Sequence, residues 1–276
     1  MRELDAVVIG AGHNGLVTAA YLAKAGRRVL VQERRARIGG ILDTVEIAPG
    51  IRAPGIAHTV GRLRRSVVQD LELARHGLVL IDPPVRVFAP QPDGSALTLW
   101  ADAARTSREL RARSARDAEA YPGFDRKVRS LASFIAYINA ATPPDVKEPT
   151  FADLLMGLRT GKAFRDLGAK ASREVTRMMP MAIADVVGEV FEDHALQGAI
   201  ASRAVVYTAA GPWSAGTATA FLSDAAGNGG GAAGQSVIAR GGPGALAEAL
   251  GLAARSLGAE IRTGAEVVRI LTEDHR

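Results

Sequence analysis

The sequence predicts an α/β fold in which both ends of the chain build one parallel sheet and a mostly helical segment is inserted between them. At the N-terminus, a glycine turn stands between an apolar run and a helical pattern. In the middle of the chain, apolar residues recur at helical spacing. From residue 235 onwards a strand–helix–strand pattern returns. Strands that alternate with helices favour a parallel sheet, so the two ends are expected to belong together.

The N-terminal segment predicts a Rossmann-like βαβ unit. Residues 5–9 form a short apolar strand, and Gly10, Gly12 and Gly15 follow it in the spacing G-x-G-x-x-G. The first glycine permits a tight turn, the second lets the backbone approach a pyrophosphate, and the third lets the next helix pack closely on the strand. We therefore predict a dinucleotide site here, the alternative being a glycine turn without a ligand.

The second strand and the residues after it favour FAD over NAD. Residues 29–32 predict a buried strand that ends at Glu33, where a carboxylate can accept hydrogen bonds from a ribose hydroxyl. Arg34 follows, and Gly39 and Gly40 close the segment. This arrangement resembles the two-glycine flavin motif of the glutathione-reductase-like proteins. NAD dehydrogenases have no need of a glycine pair at this place.

The composition excludes several kinds of chemistry. The 276 residues contain no cysteine, which excludes disulfides, thiolate metal sites and dithiol redox chemistry. The net charge is +5, but only 5% of residues are aromatic and no basic stripe is interleaved with them, so no nucleic-acid partner is predicted. No histidine cluster has metal-ligand spacing, so no metal is predicted. No apolar run is long enough to span a bilayer and no signal-peptide layout is present, so we predict a cytoplasmic protein.

The inserted segment predicts a β-hairpin followed by helices. The Pro92-Asp-Gly94 turn separates two apolar runs, and apolar positions at a period near 3.6 follow it. Asp193 is a predicted N-cap. Residues 227–234, almost entirely glycine and alanine, predict a mobile loop. The predicted helices are residues 106–116, 118–141, 151–158, 180–191 and 194–205, with weakly amphipathic helices between 158 and about 179.

The last part of the chain returns to the α/β pattern. A short strand at residues 235–239 precedes a helix that ends near Leu257, and strands are predicted at residues 259–262 and 267–271. We therefore predict a discontinuous nucleotide-binding domain interrupted by a substrate or cap domain. The predicted ranges are 1–75 with 235–276 for the first, and 76–234 for the second.

With these residues in view, the chain resembles the phytoene dehydrogenase-related FAD oxidoreductases, and within them the pyridine nucleotide-disulphide oxidoreductase domain group. The resemblance implies a glutathione-reductase-like FAD domain with a mostly helical α+β insertion. Members are much longer, so this chain is expected to correspond to about their N-terminal half, with the C-terminal part missing. The matching stretches are residues 5–16, 33–40, 70–78, 117–122, 241–246 and 258–261.

The resemblance implies non-covalently bound FAD and the two-electron oxidation or desaturation of a small molecule. The flavin performs the hydride chemistry, so no general acid or base is assigned. The apolar faces of the insertion are compatible with a lipid-like substrate. A complementing C-terminal chain is a further expected partner. The residues implied to bind the cofactor are Gly10, Gly12, His13, Asn14, Gly15, Glu33, Arg34, Gly39, Gly40 and Val267.

Two other hypotheses stay open. The chain could be a truncated, non-catalytic module that binds a dinucleotide or a partner. It could also be an NAD(P) dehydrogenase, against which the glycine pair after Glu33 argues. The arginine excess leaves contact with a membrane surface open, although no segment of the sequence requires it.

Overall fold

Two units make up the chain in the computed structural model, which describes residues 3–227 and 230–271. Unit 1 comprises residues 1–82 and 237–276, and unit 2 comprises residues 83–236. The α/β fold class with a mostly helical insertion is confirmed. The sequence places the division at residues 76 and 235, a few residues from these boundaries. The difference arises because residues 80–81 pair with residues 238–239 and so remain in unit 1.

Unit 1 is built on a three-stranded parallel sheet. The strands are β1 (Ala6–Ile9), β2 (Val29–Gln32) and β9 (Glu260–Arg262), and β2 lies in the middle. The central strand is apolar and buried from Val29 to Val31. This is the pattern expected of a parallel strand with a neighbour on each side and side chains covered on both faces.

Two helices, α1 (His13–Lys24) and α10 (Pro243–Ser256), form the core of unit 1 together with the sheet. They pack against each other, because α1 buries Ala19 and Ala23 and α10 buries a row of alanines, and small side chains allow a close approach. Gly26, at a φ of +78°, follows the end of α1 and donates its N–H to the Ala23 carbonyl.

The remaining elements of unit 1 are short. An antiparallel hairpin joins β3 (Thr44–Ala48) to β4 (Ile51–Pro54), and α2 (Arg65–Asp70) follows it. The strands β5 (Leu80–Ile81) and β8 (Ile238–Ala239) pair antiparallel at the unit boundary.

The predicted strand at residues 267–271 is wrong. This stretch has no regular structure, and Val268 and Leu271 are largely exposed. A strand needs a neighbour that accepts its backbone hydrogen bonds. Within the described part of the chain, the last such bond on this side is donated by Ala265 to the Glu33 carbonyl, at 2.8 Å. The apolar run therefore continues here without a partner strand.

Unit 2 is a hairpin followed by a helical bundle. Its elements are β6 (Val85–Pro90), β7 (Ala96–Trp100), α3 (Ala103–Leu110), α4 (Ala115–Ala140), α5 (Phe151–Asp166), α6 (Gly168–Met178), α7 (Ile183–Gly188), α8 (His194–Val205) and α9 (Thr217–Ala225). Its aromatic core includes Phe124 and Phe191, whose rings meet edge to face with centroids 5.1 Å apart. Asp193 caps α8 as predicted, because its carboxylate accepts the Leu196 N–H at 2.8 Å. No helix of the described residues is long and apolar enough to cross a bilayer.

The mobile loop predicted at residues 227–234 is wrong for residues 230–234; Asn228 and Gly229 lie outside the described residues. Gly231–Ala233 forms a buried 3-10 turn. The Ala232 N–H donates to the Asp125 carboxylate at 2.8 Å, and that carboxylate also pairs with Arg129 at 2.7 Å. A Cβ at Gly231 would overlap the same carboxylate. The glycines here serve close packing and not freedom of movement.

A second ion pair, this one with both partners largely buried, holds the end of this segment. Arg203 donates to the Asp224 carboxylate at 2.7 Å and also to the carbonyl of Gln235. The Arg203 guanidinium lies so close to Gly234 that a Cβ there would overlap it. Two charged pairs, separated from the segment by up to about a hundred residues of chain, therefore fix the glycine-rich stretch in place.

Candidate dinucleotide-binding site

The glycine turn after β1 leads directly into α1. Gly10 has a φ of +95°, which favours glycine, and it turns the chain at the end of the strand. Gly12 is the N-cap of α1, and it brings no capping side chain. A Cβ on Gly15 would overlap the Gly10 carbonyl oxygen. Gly10 and Gly15 are therefore required by the turn and by the packing of helix on strand, independently of any ligand.

The first turn of α1 presents backbone donors. The first helical hydrogen bond runs from the Leu16 N–H to the Gly12 carbonyl, at 2.9 Å. The N–H groups of His13, Asn14 and Gly15 find no acceptor among the described residues. Uncapped amides at a helix N-terminus, combined with the helix dipole, favour an anion such as a phosphate.

The second glycine pair lies against the first motif. Gly39 donates its N–H to the Ala11 carbonyl at 2.8 Å, and it has a φ of +119°. A Cβ on Gly39 would lie 2.7 Å from the Leu42 carbonyl oxygen. A Cβ on Gly40 would lie 3.1 Å from the Cα of Gly12. The two glycine motifs thus meet backbone to backbone, at a distance that side chains would not permit.

Glu33 follows β2 and lies buried at the same place, 7% exposed. Its carboxylate accepts the Ala11 N–H at 2.7 Å with one oxygen and the Arg35 N–H at 2.9 Å with the other. A carboxylate offers about four acceptor positions, so two of them remain for a further donor. These bonds fix the side chain at the end of the sheet, and its predicted contact with a ribose stays a prediction.

The other predicted site residues are less tightly connected to Glu33 and the two glycine motifs. His13 is half-buried and Asn14 is exposed, both at the start of α1. Arg34 is exposed beside Glu33. Val267 is 37% exposed, in the irregular chain after β9 and not in the strand predicted for it. The structure therefore brings Glu33 and both glycine motifs together, while Arg34 and Val267 make no hydrogen bond with them among the described residues.

The sequence interpretation missed Ala11, which connects the three segments. Ala11 is fully buried, its N–H donates to Glu33, and its carbonyl accepts the Gly39 N–H. A side chain larger than a methyl group has no room between these segments. The small residue inside G-x-G was the available signal for this role. For metals, the described residues contain no group of three or more side chains that could hold an ion.

The sequence match agrees with this geometry. Residues 8–71 match the family of NAD(P)-binding Rossmann-like domains. The chain carries a Rossmann-like dinucleotide-binding domain. Over 97% of its length, it is 33% identical to the pyridine nucleotide-disulfide oxidoreductase domain-containing protein 2 of Rattus norvegicus, of which it covers 48%. The resemblance predicted from the sequence is confirmed, and the chain spans about half the length of this relative.

Two further comparisons point to oxidoreductases. Over 44% of the chain, the identity to a subunit of the limonene dehydrogenase of Castellaniella defragrans is 43%, covering 22% of that protein. The crystal structure of an oxidoreductase from Methanosarcina mazei superposes with a TM-score of 0.55 at 19% identity, over 97% of this chain and 53% of that one. At this identity the superposition shows the fold alone. The chain is thus similar in sequence to a dehydrogenase subunit over 44% of its length, and it shares its fold with the structure of an oxidoreductase over 97%.

Proposed function

We propose that this chain is the nucleotide-binding part of an FAD-dependent oxidoreductase that oxidises or desaturates an apolar small molecule by two electrons. One observation carries the proposal. The uncapped N-terminus of α1, the buried Glu33 carboxylate and the Gly39–Gly40 pair meet at one end of the parallel sheet. Ligands of open α/β sheets bind at the carboxyl ends of the strands, which is where these groups lie.

The residues present fit FAD by their chemistry. The amides of His13, Asn14 and Gly15 would bind the pyrophosphate, which Gly12 would approach without a side chain in the way. Glu33 would accept hydrogen bonds from the adenosine ribose. In the same proposal, Gly39 and Gly40 let the chain pass close to the cofactor, Arg34 flanks the ribose side, and the Val267 backbone contacts the adenine.

Bound FAD would supply the hydride chemistry, and the protein would bind and orient the substrate. We assign no general acid or base to this chain. Limonene, which the name of one relative gives as its substrate, is a hydrocarbon. This supports an apolar substrate, which the helical unit 2 would bind.

The Glu33 carboxylate argues against NADP. It is buried and fixed by two backbone amides, so it would lie next to a 2′-phosphate of like charge. The glycine pair argues against NAD as the cofactor, because it brings a second backbone segment to the pyrophosphate side.

The Gly12→Ala variant tests the proposal, because it separates binding from folding. A Cβ at Gly12 makes only an ordinary contact, 4.0 Å from the Gly40 Cα, so the variant should unfold at nearly the wild-type urea concentration. The methyl group would occupy the space of the pyrophosphate, and we expect at least about a tenfold weaker FAD affinity in a fluorescence titration.

The matched control is Gly26→Ala. Gly26 also lies in unit 1 but at a φ of +78° with no atom within 4 Å of its Cβ position, so the substitution costs roughly 1 kcal/mol of stability and leaves FAD affinity unchanged. Two results would refute the proposal: a Gly12→Ala chain that binds FAD as the wild type does, or a wild-type chain that binds NAD more tightly than FAD.

One feature favours the second candidate, a module completed by a partner chain. Strand β1 is the edge of the sheet among the described residues, and its Val7 and Ile9 are 52% and 55% exposed. An apolar edge strand invites pairing with another strand. We propose that a C-terminal segment like the one present in the longer relatives pairs there. Adding that half of the rat relative as a separate chain should slow hydrogen exchange at the β1 amides, and unchanged exchange would exclude this site.

A further inference from the structure

Helix α5 of unit 2 carries an apolar stripe on its solvent side. Phe151, Leu154, Leu155 and Leu158 follow at the spacing i, i+3, i+4, i+7, which places them on one face. They are 83%, 57%, 37% and 73% exposed. A surface helix ordinarily turns such a face toward the core. In α5 the apolar face is exposed to solvent instead.

The opposite face of α5 holds the helix to unit 2. The Phe164 ring lies against the buried Phe134 ring, with centroids 5.5 Å apart, and Ala163 packs on the same core. The helix start is fixed by a capping box between Thr150 and Asp153. The stripe is therefore displayed by an anchored helix.

Cations follow the stripe along the same helix. Lys162 and Arg165 lie on the same face of the helix, one and two turns after Leu158. Arg159 lies at the edge of that face. All three are exposed. Lys162 pairs with Asp166 at 3.0 Å, whereas Arg159 and Arg165 make no ion pair within the described part of the chain. One end of the face is thus apolar and the other end is positive.

We propose that this face of α5 docks on an anionic lipid surface. The stripe would enter the boundary between headgroups and acyl chains, and the cations would meet the lipid phosphates. Charge complementarity favours this occupant over a second copy of the chain, whose own α5 cations would meet like charges or the apolar stripe. The stripe also falls well short of the roughly 20–30 residues a side that a stable protein interface uses. The proposal does not depend on the proposed cofactor.

Co-sedimentation with vesicles tests the proposal. The full chain should bind vesicles of phosphatidylcholine mixed with phosphatidylglycerol more tightly than vesicles of phosphatidylcholine alone, and added salt should weaken the binding. The Phe151→Ser/Leu158→Ser variant should lose at least about tenfold in partition to both kinds of vesicle. The Arg159→Gln/Arg165→Gln variant should lose roughly thirtyfold on the mixed vesicles alone.

The matched control is Phe88→Ser, which removes another exposed aromatic side chain of unit 2, 65% exposed on β6. It should leave the partition unchanged. Wild-type chain that stays in the supernatant, or a serine double variant that binds as the wild type does, would overturn the proposal. So would sedimentation of the free chain as a dimer that the double variant disrupts, since the stripe would then be a protein interface.

A fluorescent dye attached to the α5 face provides a second test, which does not rely on a variant with weakened vesicle binding. The chain has no cysteine, so Leu158→Cys introduces a single site for an environment-sensitive dye. Its emission should shift to the blue on mixed vesicles, while a dye at Phe88→Cys should not respond. Equal responses at both positions, or none at Leu158→Cys, would contradict docking through α5.

Discussion

The buried pair of Arg203 and Asp224 offers the sharpest test of how unit 2 is held together. Both Nε and Nη2 of Arg203 donate to one Asp224 oxygen, at 3.0 and 2.7 Å. The side chains are 16% and 6% exposed. The Asp224→Ala substitution removes the carboxylate and leaves the guanidinium with its bond to the Gln235 carbonyl.

The expected cost follows from the burial. Removing one partner of a buried pair costs about 3–5 kcal/mol, because an uncompensated charge stays behind. Since Arg203 keeps one carbonyl acceptor, we expect the lower end, about 3 kcal/mol. Replacing the pair by apolar side chains, in Arg203→Met/Asp224→Leu, should recover most of that loss, because no charge is then buried.

The assay is urea unfolding followed by tryptophan fluorescence. Both tryptophans of the chain, Trp100 and Trp213, lie in unit 2, so this signal reports unit 2 separately from unit 1. The control is Asp166→Ala, which breaks the exposed pair with Lys162 and should cost at most about 0.5 kcal/mol. A loss below about 1 kcal/mol in Asp224→Ala, or equal losses in both variants, would refute the reasoning.

Two further predictions concern unit 1. Gly15→Ala should destabilise the unit by about 3 kcal/mol or more, because its Cβ would overlap the Gly10 carbonyl; circular dichroism melting close to that of Gly26→Ala would contradict this. Burial and the hydrogen bond to Asp70 at 2.7 Å raise the pKa of Tyr21 to about 12, above the roughly 10 of an unfolded tyrosine. The resulting stabilisation is complete below about pH 10 and is lost as the pH rises through about 12, so Tyr21→Phe should flatten the pH dependence of unfolding there.

The sequence predicts best where the signal is local. The bounds of α8 follow from an N-cap at Asp193 and an apolar period, and both are present in neighbouring residues. The glycine turn before α1 is recognisable for the same reason, because a strand, a fixed spacing and a helix follow one another directly. The glycine turn and the later glycine pair can each be recognised in the sequence. The contact between Gly12 and Gly40 cannot, because no local pattern connects the two motifs.

The wrong predictions concern segments whose structure depends on residues far away in the sequence. A stretch of glycine and alanine predicts mobility, but Asp125 and Arg203 fix residues 230–234 from far along the chain. The stretch 267–271 has the apolar pattern of a strand, yet a strand also needs a neighbour. In α5, the apolar period predicts a helix correctly and cannot say which face is turned to solvent.

The pairing of β2 with β9 has a consequence for the order of folding. During synthesis β2 emerges long before β9, and all of unit 2 is made between them. Within unit 2 the ends of the chain lie close together, since the Ser236 hydroxyl donates to the Arg86 carbonyl at 2.8 Å. Once folded, unit 2 therefore shortens the loop that β9 must close about threefold, which lowers the free-energy cost of loop closure by about 1 kcal/mol. A substitution that unfolds unit 2 should then reduce the yield of an intact unit 1 in which no residue has changed.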